Sequence, residues 1–148
     1  MGLKHFIVIP LGGENTANGF GALQGITTGS SNTAYGYEAG KWTKVLVPNG
    51  EGVIILDVLN ETSKNSVYLG RSTSPYEPGV TNEIVIGNDA VGAGSNSVVL
   101  GNNAILKTIL KGRVGIGTDT PSHRLDVVGG AGLSTGTAWT NTSDMRLK

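Results

Sequence analysis

Carboxylates are the most numerous groups in this chain that could do acid–base chemistry: Glu14, Glu38, Glu51, Asp57, Glu61, Glu77, Glu83, Asp89, Asp119, Asp126 and Asp144. They are spread singly, so no local pair reads as an acid and a base poised across one bond. Distant carboxylates can still meet in a glycosidase, but such a groove also needs rings on which sugars stack. The chain has only two Phe, two Trp and four Tyr. His5 and His123 lie far apart, and neither has a second ligand two or four residues away, so the sequence marks no metal site within one chain. Gly92-x-Gly94 and Gly115-x-Gly117 stop short of Gly-x-Gly-x-x-Gly and no helical periodicity follows, so they read as turns and not as phosphate loops. No cofactor is implied, and no catalytic residue is assigned.

Binding remains. An aromatic ring offers a flat apolar face to a sugar, and Tyr and Trp add a hydrogen bond. The candidates for contact with a surface glycan or protein are Tyr76, Trp42, Tyr68, Arg71 and Trp139. Tyr76 is the best placed, within Ser74-Pro75-Tyr76-Glu77-Pro78-Gly79, where two prolines and a glycine predict a projecting loop. Trp42 and Tyr68 suit packing as well, while Tyr35 and Tyr37 fall inside a repeat and read as structural.

The elements that carry these residues are short and glycine-rich. Of 148 residues, 24 are Gly, while 11 basic and 11 acidic residues give a formal charge of zero. Scattered basic residues and a balanced charge argue against nucleic acid as a partner. No apolar run approaches the roughly 18 residues that span a bilayer, so no membrane insertion is expected. Phe6-Ile7-Val8-Ile9 reads as a strand and not a signal peptide. The absence of cysteine excludes disulfides and leaves the compartment open. Each ordered glycine costs roughly 0.5 to 1 kcal/mol relative to alanine. A lone chain of this composition is therefore marginal unless copies of itself bury further surface.

Repeats decide the architecture. Asn15-Thr16-Ala17-Asn18-Gly19-Phe20-Gly21-Ala22 recurs 17 residues later as Asn32-Thr33-Ala34-Tyr35-Gly36-Tyr37-Glu38-Ala39. A second series follows: Asn65-Ser66-Val67-Tyr68-Leu69-Gly70, Asn82-Glu83-Ile84-Val85-Ile86-Gly87 and Asn96-Ser97-Val98-Val99-Leu100-Gly101. Residues two apart, such as Ile84 and Ile86 or Val98 and Leu100, share a strand face, and the following glycine permits a sharp turn. Short strand and tight turn at a fixed period describe a coil whose successive turns stack and bury a continuous apolar row. Asn82 to Ala104 resembles the head repeat of YadA-like trimeric adhesins, Asn-Ser-Val-Ala-Ile-Gly. The resemblance implies an all-β, intertwined homotrimeric fibre, in which each chain winds into a β-roll of short strands.

Two other segments frame the repeats. Lys41 to Val47, a turn at Pro48 to Gly52, and Val53 to Leu59 predict a hairpin. Its second strand, Val53-Ile54-Ile55-Leu56-Asp57-Val58-Leu59, is almost continuously apolar, which predicts burial on both faces, one of them against a neighbouring protomer. Further on, Val114-Gly115-Ile116-Gly117-Thr118-Asp119-Thr120-Pro121 and Leu125-Asp126-Val127 resemble the stalk unit of phage tail fibres. Val114 pairs with Ile116 and Leu125 with Val127 by alternation, and Gly115 and Gly117 would allow close approach between chains. In a trimer, three copies of His123 on the axis form a weak candidate metal site.

Ser143-Asp144-Met145-Arg146-Leu147-Lys148 resembles the opening of the self-cleaving intramolecular chaperone of endosialidases and related fibres. That resemblance implies a cut between Thr142 and Ser143, with the remaining catalytic machinery in a chaperone domain that this chain does not contain. The expected organisation is therefore an N-terminal strand with Asn-Thr-Ala-x-Gly repeats over 1–40, a hairpin insert over 41–64 and head repeats over 65–110. A stalk unit with a glycine-rich linker spans 111–142, and 143–148 open the chaperone. The expected partners are two identical chains, a surface glycan or protein receptor, and the chaperone during assembly. The expected setting is a virion tail fibre or a bacterial cell surface. A polysaccharide-degrading tailspike fragment and a pure stalk spacer are the alternatives.

Overall fold

The computed structural model describes residues 12–48 and 53–129. The expected strand at Phe6 to Ile9, the centre of the hairpin turn, Trp139 and the Thr142–Ser143 bond lie outside the described residues. Among the described residues there are only strands, turns and irregular segments, with no helix. Two compact units divide the chain, Met1–Leu106 and Lys107–Lys148, so the boundary falls inside the expected 65–110 segment.

In the first unit each repeat contributes one short strand: β1 (Thr16–Asn18), β2 (Thr33–Tyr35), β5 (Val67–Leu69), β6 (Glu83–Ile86) and β7 (Ser97–Leu100). They form one parallel sheet in the order β1-β2-β5-β6-β7, with Ala17, Ala34, Tyr68, Val85 and Val99 in one register column. The residue two before each strand's first common position takes a left-handed conformation: Glu14, Ser31, Asn65, Asn82 and Asn96 all have φ between 51° and 63°. Asparagine tolerates that region better than most residues, which accounts for its recurrence. After each strand stands a glycine. Gly19, Gly36, Gly70 and Gly87 have φ of 133° to 136°, and a Cβ on any of the first three would overlap the carbonyl of the glycine in the next repeat. The glycine is needed for conformation and for stacking at once.

The interior is closed from two sides. Ala34, Tyr68 and Val85 point inward from the strands, and Ala22, Ala39 and Ala90 meet them from the returning segments, with Leu23 and Ile26 completing the core. A polar column runs beside it. Asn15 Oδ1 accepts from Asn32 N at 2.9 Å and from Asn32 Nδ2 at 3.0 Å, Asn32 Oδ1 from Ser66 N at 3.1 Å, and Ser66 Oγ from Glu83 N at 3.2 Å. These bonds satisfy groups that burial would otherwise leave unpaired.

The sequence placed Ile84 with Ile86 and Val98 with Leu100 in the stacked, buried row, and the structure corrects this. Those pairs do share a face, but it is the outer one: Ile86, Val98 and Leu100 are exposed, and Val67, Leu69 and Ile84 half-buried. The narrow interior takes the intervening residue of the three central strands instead, Ala34, Tyr68 and Val85, with Ala17 and Val99 half-buried at the two ends.

The insert forms an antiparallel hairpin, β3 (Trp42–Pro48) with β4 (Val53–Leu59), in a register from Trp42↔Leu59 to Pro48↔Val53. Val53, Ile54, Ile55, Leu56 and Leu59 are exposed, so neither face of β4 is buried within this chain, against the expectation of burial on both. In the second unit β8 (Val114–Ile116) pairs in parallel with β9 (Leu125–Val127), with Pro121 in the connection. A Cβ on Gly115 would overlap the Thr118 carbonyl, so the close approach that this glycine serves is within the chain.

Candidate functional site

The base of the hairpin is fixed by buried Asn60. Its backbone N donates to Lys41 O at 2.8 Å, its Nδ2 to Gly40 O at 2.9 Å, and its Oδ1 accepts from Ser63 Oγ at 2.7 Å. Gly40, with φ 65°, leaves room for the Tyr68 ring where a side chain would collide. Held there, the hairpin lies over the repeats with Lys44, Leu46, Ile55 and Asp57 on one of its faces, as strand alternation and cross-strand pairing require.

Beneath that face run Ser72, Ser74 and Tyr76 of one repeat and Asp89 and Val91 of the next, joined by the parallel bridge Ser74↔Val91. The result is a groove of two lobes that share Lys44 and Val91. The apolar lobe, about 510 Å³, is lined by Leu46, Ile55, Tyr76, Pro78 and Val91. The polar lobe, about 480 Å³, is lined by Trp42, Asp57, Ser72, Ser74 and Asp89. Lys44 Nζ pairs with Asp57 Oδ1 at 2.9 Å, and Arg71 Nη1 with Asp89 Oδ1 at 3.1 Å. Each carboxylate in the polar lobe thus has its own cation, which suits hydrogen bonding to a neutral polar ligand better than capture of an ion.

Of the five residues singled out by sequence, Tyr76 and Trp42 come together at this groove, and Arg71 reaches it through Asp89. Tyr76 is half exposed. Trp42 Nε1 donates to Glu38 Oε2 at 3.4 Å, and Lys41 Nζ stands 4.6 Å from the ring centroid, so one face of the indole is covered. The same Lys41 holds the Glu38 carboxyl below its ordinary range, chiefly through their hydrogen bond. Tyr68 is a correction: it is fully buried and cannot meet a receptor. Desolvation pushes its phenol up to about 12, tempered by polar side chains of Ser63, Ser66 and Asn60. The 71–81 loop projects only in part, because Thr73, Ser74, Pro75 and Val80 are buried while Tyr76 to Gly79 are exposed. His123 is exposed, with Nδ1 2.9 Å from Ser122 Oγ, and among the described residues no group of three possible ligands could hold a metal.

Sequence reasoning missed a second feature. Phe20 and Tyr37 stack with centroids 5.5 Å apart and planes 13° from parallel, both about half exposed, and the Arg71 guanidinium lies 5.9 Å from the Tyr37 ring. The 17-residue spacing of the two repeats was the signal, since it sets one ring over the other. Tyr35, read as structural with Tyr37, is 63 % exposed. Comparison with protein-family models, with curated proteins and with solved structures finds no match.

Proposed function

We propose that this chain is a structural and receptor-binding segment of a homotrimeric fibre that recognises a cell surface, on a virion tail or a bacterial exterior. One observation carries the reading: the chain completes a small core of its own, yet leaves an outer row, with Ile86, Val98 and Leu100 exposed and Val67, Leu69 and Ile84 half-buried, and an exposed apolar hairpin. Contiguous apolar surface of this kind marks an interaction site. Sheet face and hairpin are different surfaces, so copies meeting head to tail can close a ring, and three copies close the smallest one beyond a dimer. The repeats and the stalk unit quoted from the sequence agree with a fibre.

Recognition is assigned to the two-lobed groove and its rim, with Tyr76 and Trp42 as platforms and Asp57 and Asp89 as acceptors for sugar hydroxyls. The test is a glycan array probed with the full chain, alongside Tyr76→Ala. The reading expects binding to a surface glycan that Tyr76→Ala weakens by about tenfold or more, with unchanged thermal stability. Release of oligosaccharide would favour a polysaccharide-degrading tailspike fragment. Failure to bind either glycans or intact cells would leave a stalk spacer.

A further inference from the structure

We propose that Glu83 is the positioning residue of the groove, its buried carboxyl fastening the turn after Val91 that is tied to the Ser74–Tyr76 segment of the groove floor. The consequence for binding rests on the groove being a recognition site; the latch itself is a property of the free protein. Glu83 stands in the interior polar column, where neighbouring repeats carry Asn32 and Ser66, and it is fully buried. Its side chain turns away from the column to the loops. Oε1 accepts from Gly94 N at 2.9 Å. A Cβ on Gly92 would overlap the carboxylate, so the loop lies directly against it. Ser74 N donates to Ala90 O at 3.0 Å and Gly92 N to Ser74 O at 2.9 Å, which ties the fastened turn to the segment that carries Tyr76.

Nothing around this latch offsets a negative charge. Oε2 has no hydrogen-bond partner, and none of the ion pairs among the described residues includes Glu83. The titratable groups facing it are Glu77, on the Tyr76 loop, and the Tyr68 phenol from the adjacent strand, neither of which supplies a positive charge. Burial is the largest influence and raises the Glu83 pKa above its ordinary value, against the opposing pull of the Gly94, Tyr76 and Ala93 N–H groups. For a raised carboxyl the stabilisation is complete below the unfolded-state pKa and is lost as pH rises through the folded-state one. The groove floor is therefore held most firmly in acid and loosens towards neutral pH.

Amide hydrogen exchange on the full chain, from about pH 4 to about pH 8, reads this directly. Protection at Gly94, Gly92 and Ser74 falls as pH rises, about tenfold for each unit by which folding raises the pKa. Thr16, which donates to Asn32 O at the far end of the sheet, keeps its protection. Glu83→Gln, neutral at every pH, retains an acceptor oxygen and loses the pH slope, while Glu83→Ala loses protection at the three amides throughout. Flat protection in the unaltered chain, or an unchanged slope in Glu83→Gln, overturns the proposal; if Glu83→Ala does not fold, Glu83→Gln alone decides. Neither readout needs a glycan, so a chain that shows the slope but binds no sugar keeps the latch and loses the groove's function.

Discussion

The parallel repeats and the hairpin use the same valines, isoleucines and leucines to opposite ends. In the three central repeat strands, Ala34, Tyr68 and Val85 are sealed against the alanines of the returning segments within the one chain. In the hairpin, Ile54, Ile55 and Leu56 remain in water although six of the seven residues of β4 are apolar. Hydrophobicity alone thus does not locate the core of this chain; the column of glycines that lets the repeats stack does.

The largest effect is expected where that column is broken. Gly70→Val puts a Cβ into the Gly87 carbonyl at a φ of 134°, and should abolish cooperative thermal unfolding, a loss of about 4 kcal/mol or more. Next comes Tyr68→Ala, which empties the centre of the core and should cost about 3 to 5 kcal/mol in denaturant titration. Tyr68 also predicts alkaline behaviour. Its phenol titrates near 10 when unfolded and about 12 when folded, so its stabilisation is full below pH 10 and fades as pH rises towards 12. Unfolding midpoints measured across that window should fall in the unaltered chain and stay level in Tyr68→Phe.

Ile84→Glu with Val98→Glu tests the other side of the comparison. Because both side chains face outward, the chain should keep its fold, with circular dichroism unchanged, while the proposed self-association is lost. Smallest is Arg71→Ala: an exposed pair with Asp89 contributes at most about 1 kcal/mol, so its removal should leave thermal stability nearly unchanged.

Much of the fold was legible because the chain repeats itself. Asn15 and Asn32, 17 residues apart, predicted equal positions in adjacent strands, and they are hydrogen-bonded to each other. The glycine after each strand was legible for the same reason. Which face of a strand points inward was not, because Ile84 and Val85 are equally apolar and only the alanines opposite decide between them. The groove was half legible: Tyr76 and Trp42 stood out by type, whereas the hold of Asn60 on the hairpin base and of Glu83 on the floor came from single polar residues without any pattern around them.

The central claim is that the uncovered row and hairpin of one chain are covered by two copies of the same chain. Sedimentation equilibrium of the full-length protein at micromolar concentration tests it most directly. A species of three chains, dissociated by Ile84→Glu with Val98→Glu, is the predicted result; a stable monomer with the same circular dichroism would contradict it.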